Sequence, residues 1–299
     1  MIAALVVSSP TLSPSTASAE PRVTSTPAVE LEWPTQLHFR ISAESDVAIT
    51  EVTLRYTLRD TGFSAFSRPR DFTPGTSVNV TVSIDVNTSA GYVPVGNTFD
   101  YVWEITDASG AVFTSQPQSY LFLPPDGEWT SITSELMVVH HLRGEESLAR
   151  RFLDAAVQTN ADMGTLLGAT LPHTPVVAVL FEDRAAMDVA TTGSRVRETA
   201  CGVRVSDTTI FLSPEPCGTF DETDTLRHEF THLLVSAAAG PAAIPLWLNE
   251  GTAVTGQVAA DRAYTGPFEQ AVRTNRLYTF LEMQRSQNPS TRVELFYGQ

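Results

Sequence analysis

Hydrophobic positions along the chain follow two different periods. Between residues 28 and 124 apolar side chains recur at every second position: Leu37, Phe39 and Ile41; Val52, Leu54, Tyr56 and Leu58; Val78, Val80, Val82 and Ile84; Phe99, Tyr101, Trp103 and Ile105. Successive side chains of a strand point to opposite faces, so this alternation predicts strands buried on one side. Asp107-Ala108-Ser109-Gly110 is a turn signal leading into Ala111-Val112-Phe113. Pro124, Pro125, Asp126 and Gly127 mark a boundary. Beyond it, Leu136 to Val139 reads as a strand, and Glu145 to Leu167 as an amphipathic helix burying Leu148, Phe152, Ala156 and Leu166. Pro175 to Phe181 is a buried strand, Arg184 to Ala190 a short helix, and Val203–Val205 with Thr209–Leu212 a hairpin. No internal repeat is evident.

The first stretch resembles, by pattern alone, an immunoglobulin or fibronectin-III-like sandwich of roughly seven strands. The second, strands followed by helices, is the order of an α+β domain. The expected architecture is multidomain: an all-β sandwich over 28–124, then an α+β domain over 128–299.

Composition narrows the function classes. The chain has 299 residues, 42% of them hydrophobic, enough to bury cores in two domains. Its net charge is −15, and every one of its 19 basic residues is Arg. That acidic balance argues against a nucleic-acid partner. No run of eighteen apolar residues occurs, so no membrane span is expected. Residues 1–19 read as a secretory signal, with an apolar Ile2–Val7 core and an Ala17-Ser18-Ala19 cleavage pattern, although the basic n-region is missing. A Ser/Thr/Pro-rich tail is the alternative. Export implies a secreted or cell-surface protein, and the chain is expected to be bacterial. Export also permits a disulfide between Cys201 and Cys217, worth roughly 3 kcal/mol on the chain-entropy model, against two buried free thiols.

The strongest chemical signal is His228-Glu229-Phe230-Thr231-His232, followed by Leu246-Trp247-Leu248-Asn249-Glu250-Gly251. Residues at i and i+4 share one face of a helix, so His228 and His232 can aim two imidazoles at one point. Zinc takes two such nitrogens and a carboxylate oxygen and leaves a position for water, which Glu229 is placed to deprotonate. Leu226, Phe230, Leu233 and Leu234 give the helix its buried face, with Asp221, Thr223 and Asp224 as N-cap candidates and Gly240-Pro241 as its stop. A second short helix from Pro245 carries Glu250, eighteen positions after His232, back towards the histidines.

This combination resembles the gluzincin metallopeptidases, and Trp-Leu-Asn-Glu-Gly-Thr-Ala is similar to the corresponding stretch of the peptidase-MA-like bacterial family. The spacing to Glu250 is one residue shorter than in the aminopeptidase branch. A metzincin would need Gly and His where Val235 and Ala238 stand. The resemblance implies one Zn2+ held by His228, His232 and Glu250, Glu229 as general base, and a peptide or protein substrate. It also implies an oxyanion-stabilising Tyr, for which Tyr297 fits, with Tyr264 as rival, and further helices beyond Gln299. Gluzincins bind substrate backbone along an edge strand, a part that Gly202, Val203 and Val205 would take. Two other classes stay open: a zincin-like protein that binds without turnover, and an adhesin or scaffold acting through the β-sandwich. His140 and His141 are expected at surface or strand-edge positions, and His173 in a loop. Oligomeric state is not legible.

Overall fold

A computed structural model of the chain describes residues 20–173, 175–194, 201–215 and 222–285. The first half is β1 (Arg22–Val23), β2 (Ala28–Glu32), β3 (Gln36–Leu58), β4 (Phe63–Ser67), β5 (Gly75–Asp85), β6 (Thr98–Asp107), β7 (Val112–Thr114) and β8 (Gln118–Leu121). The alternation predicts its inward residues: Val78, Val80, Val82 and Ile84 on β5, and Phe99, Tyr101, Trp103 and Ile105 on β6, are all buried. The two leading strands of the sequence pattern turn out to be one strand. β3 runs for 23 residues with a register shift between Glu44 and Ile49. Its first part pairs with β2 and β5, and its second part with β4 and β6. An irregularity of this kind bends a strand, so the antiparallel sheet curls over on itself and encloses its own apolar side chains.

The second half begins with β9 (Trp129–Thr133), which the sequence pattern did not suggest, and continues with β10 (Met137–Leu142), α1 (Glu146–Leu167), β11 (Val176–Leu180), α2 (Arg184–Thr191), β12 (Gly202–Arg204) and β13 (Thr209–Leu212). These strands form a mixed sheet in the order β12-β13-β11-β10-β9. Then come α3 (Glu222–Ala239), α4 (Leu246–Thr255), α5 (Ala260–Arg273) and α6 (Phe280–Arg285). None of the described helices is long and apolar enough to cross a membrane.

Two apolar layers cover the mixed sheet. Met137, Val139, Ala178, Leu180, Ile210 and Leu212 face α1 and α3, where they meet Leu148, Phe152, Leu226 and Phe230. Val177, Val179, Phe181, Val203 and Phe211 face the curled sheet and share one core with Phe39, Phe99 and Trp103. The boundary at Pro124–Gly127 is therefore a boundary in sequence across which the core continues. Polar groups lock the same contact. Asn87 Nδ2 donates to the Val189 carbonyl at 2.8 Å, and Gly96, at φ +91°, has no room for a Cβ against Val177 and Val179.

Two sequence expectations fail here. Leu166 is 71% exposed, and Ala149, Ala155 and Met163 take the buried face of α1 instead. His140 and His141 are buried, because β10 lies inside the sheet between β9 and β11 and not at its edge.

Candidate metal centre

α3 presents two faces. Leu226, Phe230, Leu233 and Leu234 are buried on one, packed with α1. His228 and His232 project from another, one turn apart, as i and i+4 residues must. Gly240, at φ +57°, ends the helix: its N–H bonds the Ser236 carbonyl at 3.0 Å, in the left-handed conformation that glycine adopts freely. The chain then reverses, and α4 starts after Pro245, whose carbonyl accepts from the Leu248 and Asn249 N–H groups.

Asp224 joins the two helices at their other end. It is 2% exposed, and its two carboxylate oxygens accept the Val258 and Ala259 N–H groups at 2.8 and 2.9 Å. The sequence suggested a helix cap; in the structure Asp224 lies inside α3 and holds the α4–α5 junction against it. Gly256 reinforces this, since a Cβ there would run into Thr231 of α3.

This packing brings three donor atoms that could hold a metal ion together. His228 Nε2 lies 3.2 Å from His232 Nε2, and Glu250 Oε2 lies 3.3 Å from the first and 3.6 Å from the second. Donors bound at 2.0–2.2 Å to a tetrahedral zinc are separated by roughly 3.3–3.6 Å. The triangle thus has the dimensions of one face of such a tetrahedron. The rings stand nearly perpendicular, at 88°. His232 Nδ1 donates to Asn249 Oδ1 at 3.0 Å, which fixes the tautomer and leaves the Nε2 lone pair pointing into the triangle. Burial, then the neighbouring His228, pushes the His232 pKa down to about 4, so its ring is neutral at pH 7. Burial pushes the Glu250 carboxyl up. The hydrogen bond from His228, the attraction of the two histidines wherever they are protonated, and that of Arg204 outweigh it, and Glu250 ends below the usual carboxylate range.

Two carboxylates compete for the place of third ligand. Glu229 lies within 4.8 Å of the histidine nitrogens. Its Oε2 accepts the Arg204 backbone N–H from β12 at 2.8 Å. Glu250 stands at 3.3 and 3.6 Å from the two ring nitrogens, with Glu229 beside the same triangle.

The other expected residues are placed as follows. Gly202 and Val203 are buried, Gly202 so tightly that a Cβ would meet Thr225 of α3 at 2.5 Å. Val203 packs into the core shared with the curled sheet. The Val203 side chain is therefore not available to a substrate, Gly202 has none to offer, and Val205 is half-buried beyond the strand. Any strand-like partner would meet the backbone of this edge, where the Arg204 N–H is already engaged by Glu229. Cys201 is buried, and Cys217 lies outside the described residues, as does Tyr297. Tyr264 lies on α5 and is half-buried.

No family model matches the chain, and no curated protein does. Among solved structures, a Br derivative of BhCBM56 aligns over 34% of this chain and 99% of its own length, with 10% identity and a TM-score of 0.24. OgpA from Akkermansia muciniphila aligns over 36% of this chain and 30% of its own, with 13% identity and a TM-score of 0.27. The ApaA protein from Bordetella pertussis aligns over 38% of this chain and 98% of its own, with 12% identity and a TM-score of 0.23. Likeness at this level carries no argument about function.

Asp224, Arg204 and Asn249 contribute to the centre beyond the motif itself. One signal was present in the sequence: Asp224, His228 and His232 follow one another at i+4 spacing, the mark of a single helix face.

Proposed function

We propose that this chain is a zinc-dependent peptidase of gluzincin type, exported from the cell, in which a zincin-like α+β domain is built against an immunoglobulin or fibronectin-III-like sandwich. One observation carries the reading: two imidazole nitrogens and a carboxylate oxygen at 3.2, 3.3 and 3.6 Å, with a second carboxylate within 4.8 Å of the imidazole nitrogens. A zinc ion at these atoms would polarise a peptide carbonyl and lower the pKa of a water molecule towards 7.

The chain's own groups then have distinct tasks. Glu229 takes a proton from the attacking water and passes it to the leaving amine. The Arg204 N–H at 2.8 Å orients that carboxylate without neutralising it. Asn249 keeps the His232 ring turned towards the ligand triangle. A protein that merely bound zinc would need the three ligands and not Glu229, which favours turnover over binding alone.

The test is Glu229→Gln. The variant is expected to hold zinc as well as the parent, measured by metal analysis, and to hydrolyse an unspecific protein substrate about 10²–10⁴-fold more slowly. Unchanged turnover would remove Glu229 from the chemistry. Absence of zinc from the parent protein would remove the centre.

A further inference from the structure

A cation stands beside the ligands. Arg204 sits on β12, and its backbone N–H already holds Glu229. Its side chain reaches across α3: Nη1 donates to Ser236 Oγ at 2.7 Å and to Asp207 Oδ1 at 3.3 Å. Ser236 follows His232 at i+4, so the guanidinium lies along the same α3 stripe as the two histidines. Nε and Nη2 of Arg204 have no hydrogen-bond partner among the described residues, and the side chain is 28% exposed. Both partners of the guanidinium, Ser236 and Asp207, line a cleft of about 420 Å³, with Asn249 on its polar side and Leu233, Ala237 and Ile244 on its apolar side.

We propose that Arg204 is a specificity residue which pairs with a carboxylate of the substrate lodged in this cleft, from either an acidic side chain or a free C-terminus. This rests on the peptidase reading and adds a substrate class to it. A guanidinium is a fork of planar donors matched to a carboxylate, and two of its nitrogens remain to be used. The existing partner is a weak competitor, because Asp207 is 83% exposed and its contact is long. The apolar wall receives the methylenes of the side chain that carries the charge.

The experiment uses the zinc-loaded Glu229→Gln protein, with and without Arg204→Gln, and three peptides in calorimetry: a capped peptide containing Glu, the same peptide with Gln in that place, and the Gln peptide with a free C-terminus. At least one carboxylate peptide is expected to bind tenfold or more tightly than the capped Gln peptide. Arg204→Gln is expected to abolish the difference with zinc content unchanged. Whichever peptide gains identifies the source of the carboxylate. Equal binding of all three, no binding of any, or a uniform loss on substitution overturns the proposal. Should Arg204→Gln lose zinc, Arg204→Lys is the second variant; it keeps the charge without the fork and is expected to retain part of the preference, and a preference that Lys leaves undiminished or removes entirely counts against the fork. Hydrolysis of the same peptides with Glu229 intact tests the peptidase reading separately. Carboxylate preference without any turnover would sink that reading and leave Arg204 an anion-binding residue.

Discussion

Asn249 is the smallest device in the centre with a measurable consequence. Its Oδ1 accepts from His232 Nδ1 at 3.0 Å, and without that partner the ring can rotate or change tautomer. Outer hydrogen bonds of this kind are worth about 10–100-fold in metal affinity. Asn249→Ala is therefore expected to weaken zinc binding by that factor in a chelator competition assay, with the thermal stability of the zinc-free protein little changed. His140 makes a second prediction at this scale. Burial, the largest cause, takes its pKa from 6.5 to about 4, with the Gly96 backbone opposing and His141 adding to the fall. In the unfolded chain His140 binds its proton near pH 6.5, and in the folded chain only near 4. Its contribution is complete above about pH 6.5 and is lost as pH falls towards 4, by roughly 3 kcal/mol at 1.36 kcal/mol per unit. Urea unfolding between pH 7 and 4 is expected to show this slope. In His140→Gln the part due to this ring is absent; an identical slope in both proteins would contradict the assignment.

Among the elements, the decisive contact is α4 on α3, because it alone carries Glu250 to the histidines. Asp224 ties that junction with two backbone hydrogen bonds from inside the protein. Asp224→Ala strands two N–H groups, each worth about 1–3 kcal/mol when left unsatisfied. The expected result is a lower melting temperature and a loss of zinc affinity of tenfold or more, although Asp224 touches no ligand. Normal affinity at reduced stability would show that α4 keeps its position without this tie. At the same scale the sequence was readable where one face of an element meets one environment. Alternation marked β5 and β6, and the i, i+4 histidines marked the second face of α3. It misled where burial depended on neighbours distant in the chain: Leu166 continues the apolar stripe of α1 but lies past the edge of what α1 covers.

In the whole molecule, the mixed sheet is an inner layer with a partner on each face. Val177, Val179, Phe181 and Phe211 would be exposed if the curled sheet were removed. Gly96 is the point of closest approach, since a Cβ would sit 2.7 Å from Val177 and 2.8 Å from Val179 and φ is +91°. Gly96→Ala combines a strained backbone with overpacking, at a cost of about 1–3 kcal/mol from either source. A single, earlier unfolding transition for the entire protein is expected by calorimetry. Two separated transitions would mean that the halves fold independently and that the shared core is incidental.

What residue order alone determined is local. Period two made strands, helical spacing put His228 and His232 on one face, and Gly240-Pro241 stopped the helix, because each depends on dihedral preferences and side chains a few residues apart. The tertiary structure decided the rest. Which acid completes the triangle, which N–H holds Glu229, and which side chains the Arg204 guanidinium reaches all depend on segments tens of residues apart, brought together by burying the two faces of one sheet. Spacing along a chain does not measure a distance in space, and ligand geometry is a matter of tenths of an ångström.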